Sequence, residues 1–255
     1  MAATIKICLD AGHGMNTPGK RCNKNIDPNE TREWFLNQRI VSKLQEKLKA
    51  YNVEVIRVDD PTGNQDVPLK TRTDIANREK CDLYLSFHHD AGANCTDAGG
   101  ISVFTYDNRE SLSKLRYMIY KSLVGHGGLT GRSTPLRTAD FHVLRETTMD
   151  AVLVEHGFMD STKDTPVILN ESYADSMAEG WLSFLIEYFN LEQVSGKSQA
   201  STGQVSGKSQ ASTGQVSGNV STMYYVQCGA FKDRKNAEKL VKDLKAKGFD
   251  AIIKE

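Results

Sequence analysis

Three segments bring metal-ligating or proton-transferring side chains to the ends of apolar runs. "TIKICL" (residues 4–9) leads into "DAGHG", with Asp10 and His13; "LYLSF" (residues 83–87) leads into His88 and His89; "AVLVE" ends on Glu155, followed by His156. Imidazole nitrogens and carboxylate oxygens are the donors of hydrolytic zinc sites, which hold the ion with three protein ligands and leave a fourth position for water. A separate carboxylate then takes a proton from that water. Histidine and glutamate from separate segments therefore suggest metal-assisted hydrolysis. A further ligand is needed, and Glu30 and Glu33, which follow the His13 loop, are both candidates. Spacing alone does not choose between them.

Such residues must be positioned by a fold. "VEVIRV" (residues 53–58) and "ISVFTY" (residues 101–106) are also strand-like, giving five expected strands. Between them lie helical patterns: Leu36, Ile40, Leu44 and Leu48 form a stripe within 33–51, and Trp181, Leu182, Leu185 and Phe189 another within 180–189. Strands separated by helices predict an α/β domain with a mostly parallel sheet flanked by helices. Ligands of open α/β sheets sit beyond the carboxyl ends of the strands. The chemistry-bearing residues fall at that edge.

Bulk composition narrows the partners. The chain has 32 basic and 32 acidic residues, so no global field recruits nucleic acid or an anionic membrane. Basic residues are dispersed and no nucleic-acid motif occurs. The five cysteines are odd in number and contain no C-x-x-C pair, which argues against a disulfide framework and a zinc ribbon and favours a reducing compartment. The opening "MAATIKICLDAGHG" lacks a basic region followed by a long apolar one, and no apolar run approaches the length of about 18 residues that a membrane span needs. The expectation is a protein made in the cytoplasm without a signal peptide, acting on its substrate after lysis or release.

Composition changes sharply near residue 193. The unit "VSGKSQASTGQ" occurs twice in succession and begins again, rich in Ser, Gly, Gln and Thr and free of aromatics. It cannot bury enough apolar area to offset the entropy of ordering, so residues 193–221 read as a flexible linker between a domain at 1–192 and a small unit at 222–255. In that unit "YYVQCGAF", a helical stretch with Ala237, Leu240, Val241 and Leu244, and "FDAIIK" predict one β-α-β unit.

The residues resemble the zinc-dependent N-acetylmuramoyl-L-alanine amidases, peptidoglycan hydrolases of sporulating bacteria and phage lysins. The family's D-x-G-H-G is matched by Asp10, Gly12, His13 and Gly14, and its E-x-x-x-N by Glu33 and Asn37, a partner that Glu30 lacks. S-x-H-x-N-A is met by Ser86, His88 and Ala91, with Asp90 in the place of Asn; "AVLVEHGFMDS" matches P-A-V-L-V-E-x-G-F-x-x-N except at Asp150 and Ser161. "LKTRTDIAN" and "FHVLRET" match two further segments. The resemblance implies Zn2+ held by His13, Glu33 and His88, with Glu155 as catalytic base cutting the amide between N-acetylmuramic acid and L-alanine. It places His88 at the ligand position and His89 at a variable one, which fits the alternation of side chains along a strand. Asp10, Asn37, Arg72 and His142 are then candidates to orient ligands or touch substrate. The bland alternatives are a Glu155 paired with Arg72 or Arg145, and a Glu33 that only favours its helix N-terminus.

The terminal unit resembles half of a SPOR domain, a repeat that binds glycan strands. The partner implied is peptidoglycan, both glycan and stem peptide, with a monomeric catalytic domain and dimerisation open to the half-module. Two other functions fit parts of the pattern: a zinc carboxypeptidase acting on the stem peptide, and a non-catalytic wall-binding protein.

Overall fold

The run Leu83 to Phe87 shows no polar alternation, as suits a strand covered on both faces, and in the computed structural model it forms the buried first part of β3 (Leu83–Asp90). The structure describes residues 4–127 and 129–194, with Arg234, Glu238, Val241 and Lys242 beyond them. β1 (Ile5–Ala11) lies parallel to β3 on one side, and β2 (Val53–Arg57) adds parallel to the outer side of β1. β6 (Asp150–Phe158) lies parallel to β3 on its other side. Next to β6, β4 (Ser102–Thr105) runs antiparallel, and β5 (Leu136–Thr138) is parallel to β4. The six-stranded sheet has the order β2-β1-β3-β6-β4-β5.

The mostly parallel α/β sheet expected from the sequence is therefore present, with β4 and β5 reversed. The reversal has a simple cause. A parallel return needs a crossover of about a dozen or more residues, usually helical, and residues 91–101 contain no helix. The chain re-enters the sheet from the edge at which β3 left it.

Helices cover both faces. α1 (Glu33–Leu48), α3 (Glu110–Gly127) and α6 (Glu171–Phe189) pack on one face, where Leu36, Ile40, Leu44 and Leu48 are buried as their spacing requires. α2 (Leu69–Glu79) and α4 (His142–Arg145) cover the other, setting Ala76, Val143 and Leu144 against Cys8, Tyr84, Phe104, Ala151 and Leu153. A short α5 (Thr165–Ile168) leads into α6. Helix α3 was not among the expected elements, although its buried Leu112, Leu115, Ile119 and Leu123 follow a helical stripe. Among the described residues, no helix is long and apolar enough to cross a membrane.

Two boundaries differ from expectation. β3 and β6 do not end where the chemistry begins: His88 and Glu155 are within the strands and are register partners. The ladder continues that far because the first irregularity between β3 and β6 falls only between His88 and Asp90. At the other end, Gln193 and Val194, assigned to the linker, are tied to the domain: Gln193 forms a β-bridge with Tyr51, and the Val194 N–H donates to Ala50 O at 3.0 Å. The rest of the linker and most of the β-α-β unit lie outside the described residues. There Arg234, Glu238, Val241 and Lys242 are helical, and Arg234 Nε donates to Glu238 Oε1 at 3.0 Å.

Candidate metal centre and active site

The parallel directions of β1, β3 and β6 bring their carboxyl ends to one edge. Immediately after β1 the chain makes a tight turn in which the Gly12 N–H donates to Phe87 O at 3.0 Å. A Cβ at Gly12 would lie 2.1 Å from His88 Cε1, so only glycine lets the His88 ring occupy its place. His13 follows with φ 68°, a left-handed conformation that a non-glycine residue adopts only under restraint. The restraint is Arg72. Its Nη2 donates to His13 O at 3.1 Å and its Nη1 to Ala11 O at 3.0 Å, while the guanidinium pairs with Asp10.

Glu33 is the first residue of α1. Its N–H donates to Lys20 O at 3.1 Å, and its buried carboxylate turns toward both histidines. Oε1 lies 3.0 Å from His88 Nδ1 and 3.3 Å from His13 Nε2. The His13 and His88 rings meet edge to face with centroids 5.0 Å apart. One donor atom from each of the three residues falls within 4.8 Å of the others. Two of the group's atoms, His13 Nε2 and Glu33 Oε2, are buried without a well-formed hydrogen bond. Buried polar atoms are normally satisfied, and a cation among two imidazoles and a carboxylate would satisfy both. The residues present therefore fit a metal ion. Burial opposes ionisation of Glu33, but its close interactions with His13 and His88 outweigh it and hold the carboxyl far below its usual range.

Glu155 stands beside this group on β6, on the same sheet face as its register partner His88. Its Oε2 is buried and unpartnered. Burial pushes its pKa up to about 8; His88 opposes the rise, and the carboxylates of Glu33 and Asp90 add to it. The structural alternative for Glu155 is overturned, because Arg72 is committed to Asp10, and Arg145 pairs with Asp140 at 2.5 Å and Glu146 at 2.7 Å. The helix-terminus alternative for Glu33 fails for a similar reason, since its carboxylate faces the two histidines.

The remaining candidates divide. Glu30 sits in a left-handed turn at φ 48° and pairs with Arg21 at 3.3 Å, away from the group. Asp10 accepts hydrogen bonds from Tyr84 Oη and Ser86 Oγ, each at 2.8 Å, besides its pairing with Arg72. Asn37 donates to Gly12 O at 3.2 Å and meets His89 Nδ1 through Oδ1 at 2.8 Å. Neither is hydrogen-bonded to a side chain of the metal group; Asn37 holds the Gly12 carbonyl, and Asp10 anchors the Arg72 guanidinium. Arg72 holds the backbone directly through the carbonyls of Ala11 and His13, and its side chain is only 2 % exposed where it lines the cavity. His142 does face the open cavity of about 490 Å³ before Glu155, with Nε2 3.3 Å from Thr73 Oγ1.

His89 points away from the metal group, as alternation predicts. It is buried, and burial together with His156 keeps it neutral, well below its ordinary pKa. His156 is a packing residue whose Nε2 accepts from Trp181 Nε1 at 2.9 Å. Asp90, where the resemblance has Asn, is paired with Arg132 at 3.1 Å. Lys20 also lines the cavity; nothing in its sequence context marks it, because the loop carrying it has no periodicity.

An edge arranged in this way is suited to hydrolysis, and the fold and site together define a hydrolase of mostly parallel α/β architecture with a candidate metal centre. Residues 7–187 match the N-acetylmuramoyl-L-alanine amidase family, and residues 221–255 match the SPOR domain. The chain belongs to that amidase family and is a peptidoglycan amidase, with peptidoglycan as its substrate or binding target. It is 30% identical over 250 residues to the sporulation-specific N-acetylmuramoyl-L-alanine amidase of Bacillus subtilis, covering 98% of this chain and 84% of that one. It is 30% identical to the endolysin of Bacillus phage SPP1, over 75% of this chain and 69% of the relative. Among solved structures, the N-acetylmuramoyl-L-alanine amidase of Clostridium difficile 630 superposes with a TM-score of 0.66 at 28% identity, covering 73% of this chain and 97% of that one.

Proposed function

We propose that the chain cleaves the amide between N-acetylmuramic acid and L-alanine, with zinc held by His13, Glu33 and His88 and with Glu155 as the base. The observation that carries this reading is the partnerless Glu155 Oε2 beside a carboxylate shared by two histidines. When bound, zinc supplies Lewis acidity, acidifying water to a pKa of roughly 7 and polarising an amide carbonyl. Glu155 removes a proton from the attacking water and delivers it to the leaving nitrogen as the C–N bond breaks. Its raised pKa suits a group that must both take and return a proton, and nearby positive charge favours the ionised form it needs at the start. The products are a glycan bearing a free lactyl carboxylate and a peptide with N-terminal L-alanine.

The match of residues 221–255 to the SPOR domain supports a second wall contact in the same chain. Carried on the same chain, it would raise the local concentration of glycan at a monomeric catalytic domain. The free buried thiols of Cys8, Cys22 and Cys81 support synthesis in a reducing cytoplasm, with access to the wall after lysis or release.

The test is digestion of purified walls by the full chain and by Glu155→Ala, reading turbidity, new amino termini and zinc content. Release of N-terminal L-alanine by the wild type, with a zinc-loaded but inactive variant, supports the reading. A different new terminus, or a wild type that binds no zinc, overturns it.

A further inference from the structure

Two cations line the described cavity in front of Glu155, Arg72 and Lys20. Arg72 is fully occupied. Besides Asp10 it pairs with Asp66 at 3.1 Å, and it donates to the carbonyls of Val67, Ala11 and His13. Lys20 differs in each respect. Its side chain is 45 % exposed, and its ion pair is a loose one, Nζ to Glu33 Oε2 at 3.7 Å, with a carboxylate whose other oxygen already faces both histidines. Its backbone is nevertheless fixed, since Lys20 O accepts the Glu33 N–H and its own N–H donates to Thr17 O at 3.4 Å. The ammonium is therefore a half-exposed positive charge anchored at the cavity, held by one long ion pair that leaves it room to meet a ligand.

Elsewhere on the wall Asp66 is taken up by Arg72 and by the Thr17 hydroxyl, which donates to it at 2.7 Å, and a large part of what remains is apolar. Val67, Pro68, Leu69, Phe141 and Val143 are apolar, and Phe141 and Leu69 remain 40% and 54% exposed. A ligand suited to this cavity carries an apolar group and, a short distance away, an anion. The stem peptide does so. The alanine whose amide is cut contributes a methyl group, and the acidic residue that follows contributes a carboxylate about one residue length away, roughly 3.5 Å of extended chain per residue. Starting within 4 Å of Glu33 Oε2, the lysine stem can span that distance.

We infer that Lys20 is a specificity-determining residue that pairs with the free carboxylate of the second stem-peptide residue. The inference rests on the amidase reading and deepens it. Stems in which this carboxylate is free are preferred over those in which it is an amide, because an amide keeps the shape and loses the charge-assisted bond.

The test compares two synthetic disaccharide-tetrapeptides that differ only in a free or amidated α-carboxylate on the second residue. The full chain with its metal is assayed for kcat/KM on each. The wild type is expected to prefer the carboxylate form by about tenfold, the order of one charge-assisted hydrogen bond. Lys20→Met is expected to bring the ratio close to one, and Lys20→Arg to retain most of it. Lys20→Gln serves as a second neutral variant if the methionine variant does not fold. A wild type without preference, or a ratio undiminished in both neutral variants, overturns the assignment. If the wild type cuts neither substrate, the amidase reading fails and the inference falls with it.

Discussion

His88 and Glu155 are register partners on adjacent parallel strands, so a candidate metal ligand and the candidate base are held side by side on one sheet face by backbone pairing. Their relative placement needs no side-chain contact between them. Glu155 can therefore be altered without removing a support of the metal group. Glu155→Gln is expected to bind zinc as the wild type does and to lose about a thousandfold in kcat, within the range that a positioned general base contributes. Steady-state hydrolysis of a defined muropeptide, alongside zinc determination, checks this.

Gly12, just past the end of β1, is tied to β3 by its N–H to Phe87 O and lies against the His88 ring. An added methyl would sit within 2.1 Å of the His88 ring, a contact that forces the imidazole out of place. Gly12→Ala is expected to weaken metal binding by about tenfold or more, the order seen when ligand support is disturbed. It should also cost about 1–3 kcal/mol of stability through overpacking. Chelator competition and urea unfolding report the two effects separately.

Glu30 and Glu33 compete on spacing but not in space. Glu33→Gln is expected to reduce zinc affinity by about a hundredfold or more, since it removes an anionic ligand from a three-residue set. Glu30→Gln, altering an exposed ion pair with Arg21, is expected to stay within about twofold. Equal losses in the two variants would remove Glu33 from the metal group.

Asp10 gives the fold an acid-sensitive support. Burial raises its pKa, but the Arg72 guanidinium and the charge of His88 more than offset this, leaving it below the ordinary carboxylate value. A lowered folded pKa means that its stabilisation is complete above the unfolded value of about 3.9 and is lost as pH falls through the lower folded one. Asp10→Asn leaves Arg72 buried without its main counter-charge and is expected to cost about 3–5 kcal/mol at pH 7. The variant should also lose less stability than the wild type between pH 4 and pH 2, by about the stabilisation tied to this ionisation. Urea midpoints measured across that range decide the point; parallel pH curves for the two proteins would exclude the role.

Much of the centre is legible from local pattern. His13, His88 and Glu155 each close an apolar run, and such runs form the parallel strands of α/β proteins, whose carboxyl ends gather at one edge. That is why residues far apart in the chain could be read together, and why alternation along β3 separates His88 from His89. The helical stripe of α3 was equally open to reading in Leu112, Leu115, Ile119 and Leu123.

Other relationships exist only in three dimensions. Arg72 could be taken for a partner of Glu155 until the fold laid α2 across the end of β1 and placed its guanidinium on Asp10 and on the carbonyl of the strained His13. Lys20 stands in an irregular loop and carries no periodic signal, yet the loop's hydrogen bond to Glu33 brings its ammonium to the cavity. The sequence by itself determined which groups could bind a metal and move a proton, because residue type and strand period are local properties. Spacing left Glu30 and Glu33 open until the family pattern favoured Glu33. Tertiary structure decided what Arg72 pairs with and which cation lines the cavity exposed, because burial and long-range pairing depend on segments that meet only when the sheet closes.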